Sequence, residues 1–92
     1  MARIVIYTRM FCGFCTAAKK LLDGKGVEFE EIDASMSPER RKEMAERSGG
    51  GRTFPQILIN DQPIGGCNEL YALDASGELD KLLAQSSPET IS

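Results

Sequence analysis

The sequence predicts a single α/β domain in which helices flank a mixed sheet of four strands. A length of 92 residues suits one domain with one modest core. Hydrophobic patterning gives the order strand, helix, strand, helix, strand, strand, helix, helix. A helix between the first two strands makes them parallel, whereas a short turn between the last two makes them antiparallel. The sheet is therefore expected to be mixed.

The first part of the chain predicts a strand–helix–strand unit. The run RIVIYT at 3–8 is β-branched and aromatic, which is typical of a buried strand. Apolar side chains follow at helical spacing over 16–25, and Gly24 and Gly26 end this helix. The run VEFEEI at 27–32 alternates apolar and acidic side chains, as expected for a second strand.

The middle of the chain predicts a helix and then a hairpin. Ser37-Pro38 is a helix-capping residue followed by a proline suited to the first helical position, so a helix is expected over 39–47. A strand over 54–59 begins near a proline, where a missing N–H is tolerated. Turn residues at 60–63 lead to a short return strand at 64–65.

The end of the chain predicts two short helices and a tail. Residues 67–73 form the first helix, and leucines at helical spacing mark the second. Residues 86–92 are polar and contain a proline, so we expect a disordered tail behind a folded domain of residues 1–85.

Charge and composition disfavour two classes of partner. The net charge is −3, and acidic neighbours flank the one basic cluster, Arg40-Arg41-Lys42, which predicts a solvated helix face rather than a nucleic-acid surface. No apolar run reaches the length of a membrane span, and no targeting segment is recognisable. We therefore expect a soluble, cytoplasmic protein, monomeric, with no nucleic-acid or membrane partner.

The cysteines carry the chemistry that the sequence suggests. Cys12 and Cys15 form a C-x-x-C pair beside a strand–helix–strand pattern, and Cys67 lies far away in the sequence. The chain has no histidine, which excludes a Cys₂His₂ zinc site and histidine-dependent nucleophilic catalysis. A zinc half-site or a pair of inert core cysteines is the alternative, but three cysteines supply too few ligands within one chain. The pair therefore indicates redox chemistry without a metal.

The two paired cysteines are expected to differ in reactivity. Cys12 precedes the first helical turn, where free backbone N–H groups and the helix dipole stabilise a thiolate. Arg9 and Lys19 add positive charge nearby. Cys15 lies inside the helix and is expected to be more buried. We predict that Cys12 attacks a disulfide and that Cys15 resolves the mixed disulfide.

Two further segments predict a binding site. An aromatic residue before Pro55 favours a cis peptide bond, with the Phe54 N–H and C=O turned outward to pair with an extended peptide. A simple strand-edge role for the proline is the alternative. Gly65-Gly66 before a helix predicts a carboxylate site at the helix N-terminus, although a plain turn explains these glycines too. Cys67 alone is read as a small, partly buried residue.

The order and spacing of these motifs resemble those of the glutaredoxin family, and in particular its short bacterial dithiol members. The resemblance covers about residues 3–83, with all motifs in order. It implies a thioredoxin fold with a cis peptide bond before Pro55. The matching segments are Ile6-Tyr7-Thr8-Arg9, the pair Cys12 and Cys15, Thr53-x-Pro55-Gln56-Ile57, and Ile64-Gly65-Gly66-Cys67-x-x-Leu70.

The resemblance also implies a groove for glutathione as co-substrate, with disulfide-containing or glutathionylated proteins as partners. Arg9 would face the glycine carboxylate, and the Phe54 backbone would pair with the cysteinyl unit. The γ-glutamyl carboxylate would bind at Gly66-Cys67-Asn68. The residues assigned to the groove are Arg9, Phe14, Thr53, Phe54, Pro55, Gly66, Cys67 and Asn68.

The chain departs from the family pattern in three places. Gly13-Phe14 replaces the commonest Pro-Tyr, so a phenol hydroxyl is lost. Asn68 replaces a usual acidic residue, which predicts weaker glutathione affinity. Cys-Gly-Phe also resembles single-thiol members, which have serine in place of Cys15 and bind a [2Fe-2S] cluster between two subunits. A glutathione-ligated cluster carrier is therefore the alternative function, and a binding module without catalysis leaves the cysteine pair unexplained.

Overall fold

The structure is a computed structural model that describes residues 3–84. The tail expected at 86–92 therefore lies outside the described residues. No helix within residues 3–84 is long and apolar enough to span a bilayer. The elements are β1 (Ile4–Thr8), α1 (Gly13–Gly24), β2 (Glu30–Asp33), α2 (Pro38–Arg47), β3 (Gln56–Ile59), β4 (Gln62–Gly65), α3 (Cys67–Ser76) and α4 (Glu78–Ala84).

The described strands form one mixed sheet in the order β2-β1-β3-β4. β1 runs parallel to β2 and antiparallel to β3, and β3 and β4 form the antiparallel hairpin. This arrangement confirms the predicted fold class and element order. β1 is a central strand of the sheet. The start of α1, which follows the C-terminal end of β1, therefore lies near the middle of the sheet rather than beside an edge strand.

The second strand is shorter than predicted. It begins at Glu30 rather than at residue 27. Val5 pairs with Glu30, so Phe29 lies opposite Ile4, the first residue of β1. Residues 27 and 28 lie beyond the start of β1 and, among the described residues, have no strand beside them to pair with. Val27 and Phe29 nevertheless pack against the core, which explains the apolar alternation that suggested a longer strand.

Three other boundaries also differ from the prediction. β4 begins at Gln62 rather than at residue 64. α1 begins at Gly13, so Cys12 precedes the helix and Cys15 lies in its first turn, as predicted. β3 begins at Gln56 rather than at residue 54, because the two preceding residues form a loop. α3 continues to Ser76 and ends where Gly77 takes a left-handed conformation.

Apolar side chains cover both faces of the sheet, because successive strand residues point to opposite faces. The cluster on one face lies under α1, α3 and α4 and includes Ile4, Ile6, Leu22, Ile57, Ile59, Leu70 and Leu79. The cluster on the other face lies under α2 and comprises Val5, Tyr7, Met44 and Leu58.

A polar cluster fixes α2 against the second face. The Tyr7 hydroxyl donates a hydrogen bond to Glu43 and accepts one from Nη1 of Arg47 at 2.8 Å. The Arg47 guanidinium also lies 5.7 Å from the centre of the Tyr7 ring. Ser37 caps the same helix, since its Oγ accepts a hydrogen bond from the Arg40 N–H at 3.1 Å.

Candidate active site

Cys12 lies at the point where the chain leaves β1 and enters α1. Its backbone is extended, with φ −105° and ψ 104°, as is usual for a residue that precedes a helix. Its Sγ accepts a hydrogen bond from the Cys15 backbone N–H at 3.2 Å. The first N–H groups of a helix lack partners within it, so Cys12 takes the capping role with a sulfur.

Cys15 is held as a thiol by its surroundings. It is 2% exposed, whereas Cys12 is 9% exposed, so Cys12 is the more accessible of the two sulfurs. Burial, followed by a hydrogen bond with Cys12, raises the pKa of the Cys15 thiol to about 11. All three cysteines are free thiols in the structure. The predicted difference in burial between the paired cysteines is therefore present.

A groove of 250 Å³ lies beside Cys12 and collects most of the predicted binding residues. The carbonyl oxygen of Phe54 lies 3.9 Å from the Cys12 sulfur, so this groove and the sulfur adjoin. Three segments that are distant in the sequence meet here. The lining residues are Phe14, Thr53, Phe54, Pro55, Gly66, Cys67, Asn68 and Glu69.

The loop before β3 is fixed by a buried side chain. The Phe54–Pro55 peptide bond is cis, as the sequence predicted. Gln56 is buried, and its Nε2 donates hydrogen bonds to the Thr53 carbonyl oxygen at 3.0 Å and to Thr53 Oγ1 at 3.2 Å. The Gln56 amide thus fixes the backbone that forms one wall of the groove.

The opposite wall depends on two glycines and an acidic residue that the sequence analysis did not assign. Gly65 has φ +115°, and a Cβ there would lie 2.9 Å from Cγ of Glu69. The Gly66 N–H donates a hydrogen bond to Oε1 of Glu69 at 2.6 Å. An acid three residues after a helix-capping position is a recognised capping pattern, and this signal could have identified Glu69.

Cys67 is buried at the start of α3, facing the groove. Burial, then the charges of Cys12 and Glu69, raise the pKa of the Cys67 thiol. A raised pKa keeps a thiol protonated and unreactive at neutral pH. This environment agrees with the interpretation of Cys67 as a small buried residue.

Arg9 lies apart from the other predicted groove residues. It lines a separate, polar cavity of 460 Å³ that shares Cys12 and Cys15 with the active site. Lys19 lines the same cavity, but its Nζ lies 3.2 Å from Oε2 of Glu31. Much of the Lys19 charge is therefore balanced by Glu31, and Arg9 is the stronger source of positive charge near the cysteines.

A larger cavity of 520 Å³ lies between β4, α3 and α4. It is mostly apolar and contains no cysteine among its lining residues. The redox chemistry is therefore located by the position of the cysteines rather than by cavity size.

Comparison with known proteins decides the family. The family model described as Glutaredoxin matches residues 4–64, which is more than half of the chain. The chain belongs to the glutaredoxin family. Members of the family are thiol–disulfide oxidoreductases, so this glutaredoxin is an enzyme of that class. The family uses glutathione.

Individual relatives support the assignment. This glutaredoxin is 52% identical over 83 residues to Glutaredoxin 3 of Escherichia coli strain K12, covering 90% of this chain and 99% of that protein. The solution structure of the Brucella melitensis glutaredoxin superposes with a TM-score of 0.78 at 51% identity, covering 100% of this chain and 96% of that one. These likenesses confirm the thioredoxin-like fold.

A third relative is a complex. The crystal structure of the buckwheat glutaredoxin–glutathione complex superposes with a TM-score of 0.78 at 26% identity. The match covers 87% of this chain and 74% of that chain.

Proposed function

We propose that this glutaredoxin uses glutathione to reduce protein–glutathione mixed disulfides and protein disulfides. The observation that carries the proposal is the groove that adjoins the Cys12 sulfur at the Phe54 carbonyl oxygen. A buckwheat relative has been crystallised with glutathione, which supports the same ligand here. A glutathione pool also implies a reducing compartment, and we infer the cytoplasm.

The reaction begins at Cys12. Its thiolate attacks the glutathione sulfur of a mixed disulfide, and the protein thiolate leaves and takes up a proton. The resulting Cys12–glutathione disulfide is then attacked by a second glutathione thiolate. That step forms oxidised glutathione and restores the Cys12 thiolate, so each turnover consumes one free glutathione thiol and converts the protein sulfur to a thiol. The N–H of Cys15 stabilises the sulfur anion at the start and the end of the cycle.

The groove orients glutathione for this exchange. The Phe54 backbone pairs with the cysteinyl unit, and the N–H groups in the first turn of α3 bind the γ-glutamyl carboxylate at Cys67 and Asn68. This carboxylate site adjoins Gly66, whose own N–H is bonded to Glu69. Phe14, Thr53 and Pro55 supply the remaining walls. Arg9, in the neighbouring cavity, faces the glycine carboxylate.

Cys15 acts when the substrate is a protein disulfide. Attack by Cys12 then leaves a mixed disulfide with the substrate protein, and Cys15 attacks Cys12 to release the reduced substrate and form a Cys12–Cys15 disulfide. Two glutathione molecules reduce this disulfide and leave as oxidised glutathione. Because the pKa of Cys15 is raised, its proton must be removed during this step. Before this step Cys15 remains a protonated thiol and does not compete with Cys12 for the substrate disulfide.

The proposal is tested by glutathione-coupled turnover of wild type and of Cys12→Ser, as monomers, with an absorption spectrum of the same protein prepared without oxygen. We expect turnover in wild type and none in Cys12→Ser, whose free energy of unfolding should match wild type. Absence of wild-type turnover, together with a visible chromophore in a dimer bound to glutathione, would favour the [2Fe-2S] carrier instead.

A further inference from the structure

Two large apolar side chains directly before Cys12 are exposed to solvent, and a third is exposed on the loop after β2, which is hydrogen-bonded to Met10 through Ser35. Met10 is 51% exposed, Phe11 is 99% exposed and Met36 is 86% exposed. We call these three residues the apolar rim. None of them lines the 250 Å³ groove, whereas Met10 and Phe11 border the neighbouring 460 Å³ cavity that contains Arg9. The Phe11 side chain is nevertheless 99% exposed, so neither cavity accounts for its ring.

Phe11 is unfavourable in two independent ways. It directly precedes Cys12 and has φ +55°, a conformation that bulky side chains rarely adopt. Its ring also gains almost no burial. A residue that costs stability both through its backbone and through exposure beside a reactive centre is typical of a functional position.

The rim is held in place from both sides. The Met10 N–H donates a hydrogen bond to Oγ of Ser35 at 2.6 Å, which ties the loop after β1 to the loop after β2. The Ser35 N–H donates to Oδ1 of Asp33 at 2.8 Å, and Nη2 of Arg41 donates to the Ser35 carbonyl oxygen at 2.7 Å. Met36 follows Ser35 directly and is therefore carried on a fixed loop beside Met10.

The position of the apolar rim indicates which part of a substrate contacts it. Cys12 is only 9% exposed, so a disulfide can reach its sulfur only if the groups around that disulfide contact the residues next to Cys12. In a mixed disulfide the glutathione half takes the groove between Phe14 and Thr53. The other half then lies outside the groove, where the rim is available.

We propose that the apolar rim binds apolar residues that flank the reactive cysteine of a protein substrate. This inference rests on the proposed function for the identity of the attacking sulfur. Contact between exposed aromatic or methionine side chains and an apolar segment removes surface from water on both partners. The enzyme is therefore selective among protein disulfides, and small disulfides without flanking residues do not sense the rim.

Three substrates that share one glutathione unit test the rim. The first is a peptide whose glutathionylated cysteine is flanked by leucine and phenylalanine, and the second has serine at those flanks. The third is the mixed disulfide of glutathione and 2-mercaptoethanol. We expect wild type to show a kcat/KM for the first peptide about tenfold above that for the second.

The variants are Phe11→Asn and Met36→Ser. Asparagine tolerates a positive φ, so Phe11→Asn removes the ring without disturbing the loop. We expect each variant to lose most of the preference for the apolar peptide and to keep the wild-type rate on the 2-mercaptoethanol substrate. Tyr71→Ser, which removes an exposed aromatic ring on α3, is the matched control and should keep the preference.

Two outcomes overturn the inference. One is an equal wild-type rate on both peptides, and the other is an equal loss on all three substrates, which would place Phe11 in the chemistry at Cys12. Sedimentation of the same variants adds a third: a wild-type dimer that only the rim variants dissociate, with peptide preference unchanged, would make the rim a contact between copies of this chain.

A separate readout keeps this inference distinct from the proposed function. Reduced enzyme is mixed with disulfide-bridged peptides, apolar or polar at the flanks, with no glutathione present, and the rate of the single turnover is measured. If glutathione turnover is absent but the single-turnover rate still depends on the apolar rim, the proposed function is wrong and the inference about the rim is supported. If glutathione turnover is present and neither assay depends on the apolar rim, only the inference about the rim is wrong.

Discussion

The Cys15 N–H donates a hydrogen bond to the Cys12 sulfur at 3.2 Å, while the Cys15 thiol is buried beneath it with a pKa raised to about 11. One residue thus stabilises its partner through the backbone and keeps its own side chain out of reaction. The backbone contribution does not depend on the side chain at position 15. The two contributions can therefore be separated by substitution.

We predict that Cys15→Ser retains deglutathionylation within about twofold of wild type, because the N–H that contacts Cys12 is unchanged. Reduction of a protein disulfide should fall by at least about tenfold, since no thiol remains to release the substrate. Both rates are measured with the same enzyme preparations. Equal loss in the two assays would contradict a resolving role for Cys15.

Asn68→Asp should tighten glutathione binding by a few-fold, because an aspartate adds a charge that attracts the ammonium group of the γ-glutamyl unit. Titration calorimetry at low ionic strength measures the change, and high salt should reduce it. Gln62→Glu, an added charge on exposed β4, is the control. No gain in affinity, or an equal gain in the control, would count against the proposed position of glutathione.

Gln56→Met should raise KM for a glutathione mixed disulfide several-fold with a smaller effect on kcat. Methionine fills a similar volume but cannot donate the two hydrogen bonds that hold Thr53. Steady-state kinetics with varied substrate separates the two constants. Gln62→Met, at an exposed position, should match wild type, and an unchanged KM in Gln56→Met would show that Thr53 needs no such support.

Stability should depend on Glu43 in a defined pH range. The hydrogen bond from Tyr7 lowers the pKa of Glu43 below its usual value. Its contribution to stability is therefore present above the unfolded-state pKa of about 4.3 and is lost as the pH falls through the folded-state value. Glu43→Gln should lower the free energy of unfolding by about 1 kcal/mol at pH 7 and by less at pH 3.

Urea unfolding of wild type and Glu43→Gln at both pH values measures this difference. Glu46→Gln makes the same charge change at an exposed position on α2 and should have little effect at either pH. A deficit in Glu43→Gln that is as large at pH 3 as at pH 7 would show that the Tyr7–Glu43 bond does not depend on the carboxylate.

The sequence predicted the features that local chemistry determines. Strand composition and helix spacing identified every element, and Ser37-Pro38 identified the start of α2. The C-x-x-C pair, the residue before Pro55 and the paired glycines identified the segments that meet at the groove. The length of β2 was wrong because strand ends depend on the partner register rather than on composition.

Other features depend on tertiary contacts that no local pattern contains. The support that Gln56 gives to Thr53 requires a buried amide near a particular loop. The separation of Arg9 from the groove follows from the direction in which the loop leaves β1. The apolar rim was missed because Phe11 and Met36 are distant in sequence and because exposed hydrophobic residues are not distinguishable by spacing.

In the proposed reaction the Cys12 sulfur, held at the start of α1, is the nucleophile of this chain. Brief treatment of the reduced protein with a limiting amount of iodoacetamide at pH 7, followed by mass spectrometry of its peptides, tests this role. We predict that Cys12 is alkylated first, while Cys15 and Cys67 remain unmodified. Alkylation of Cys15 or Cys67 before Cys12, or equally slow alkylation of all three, would contradict it.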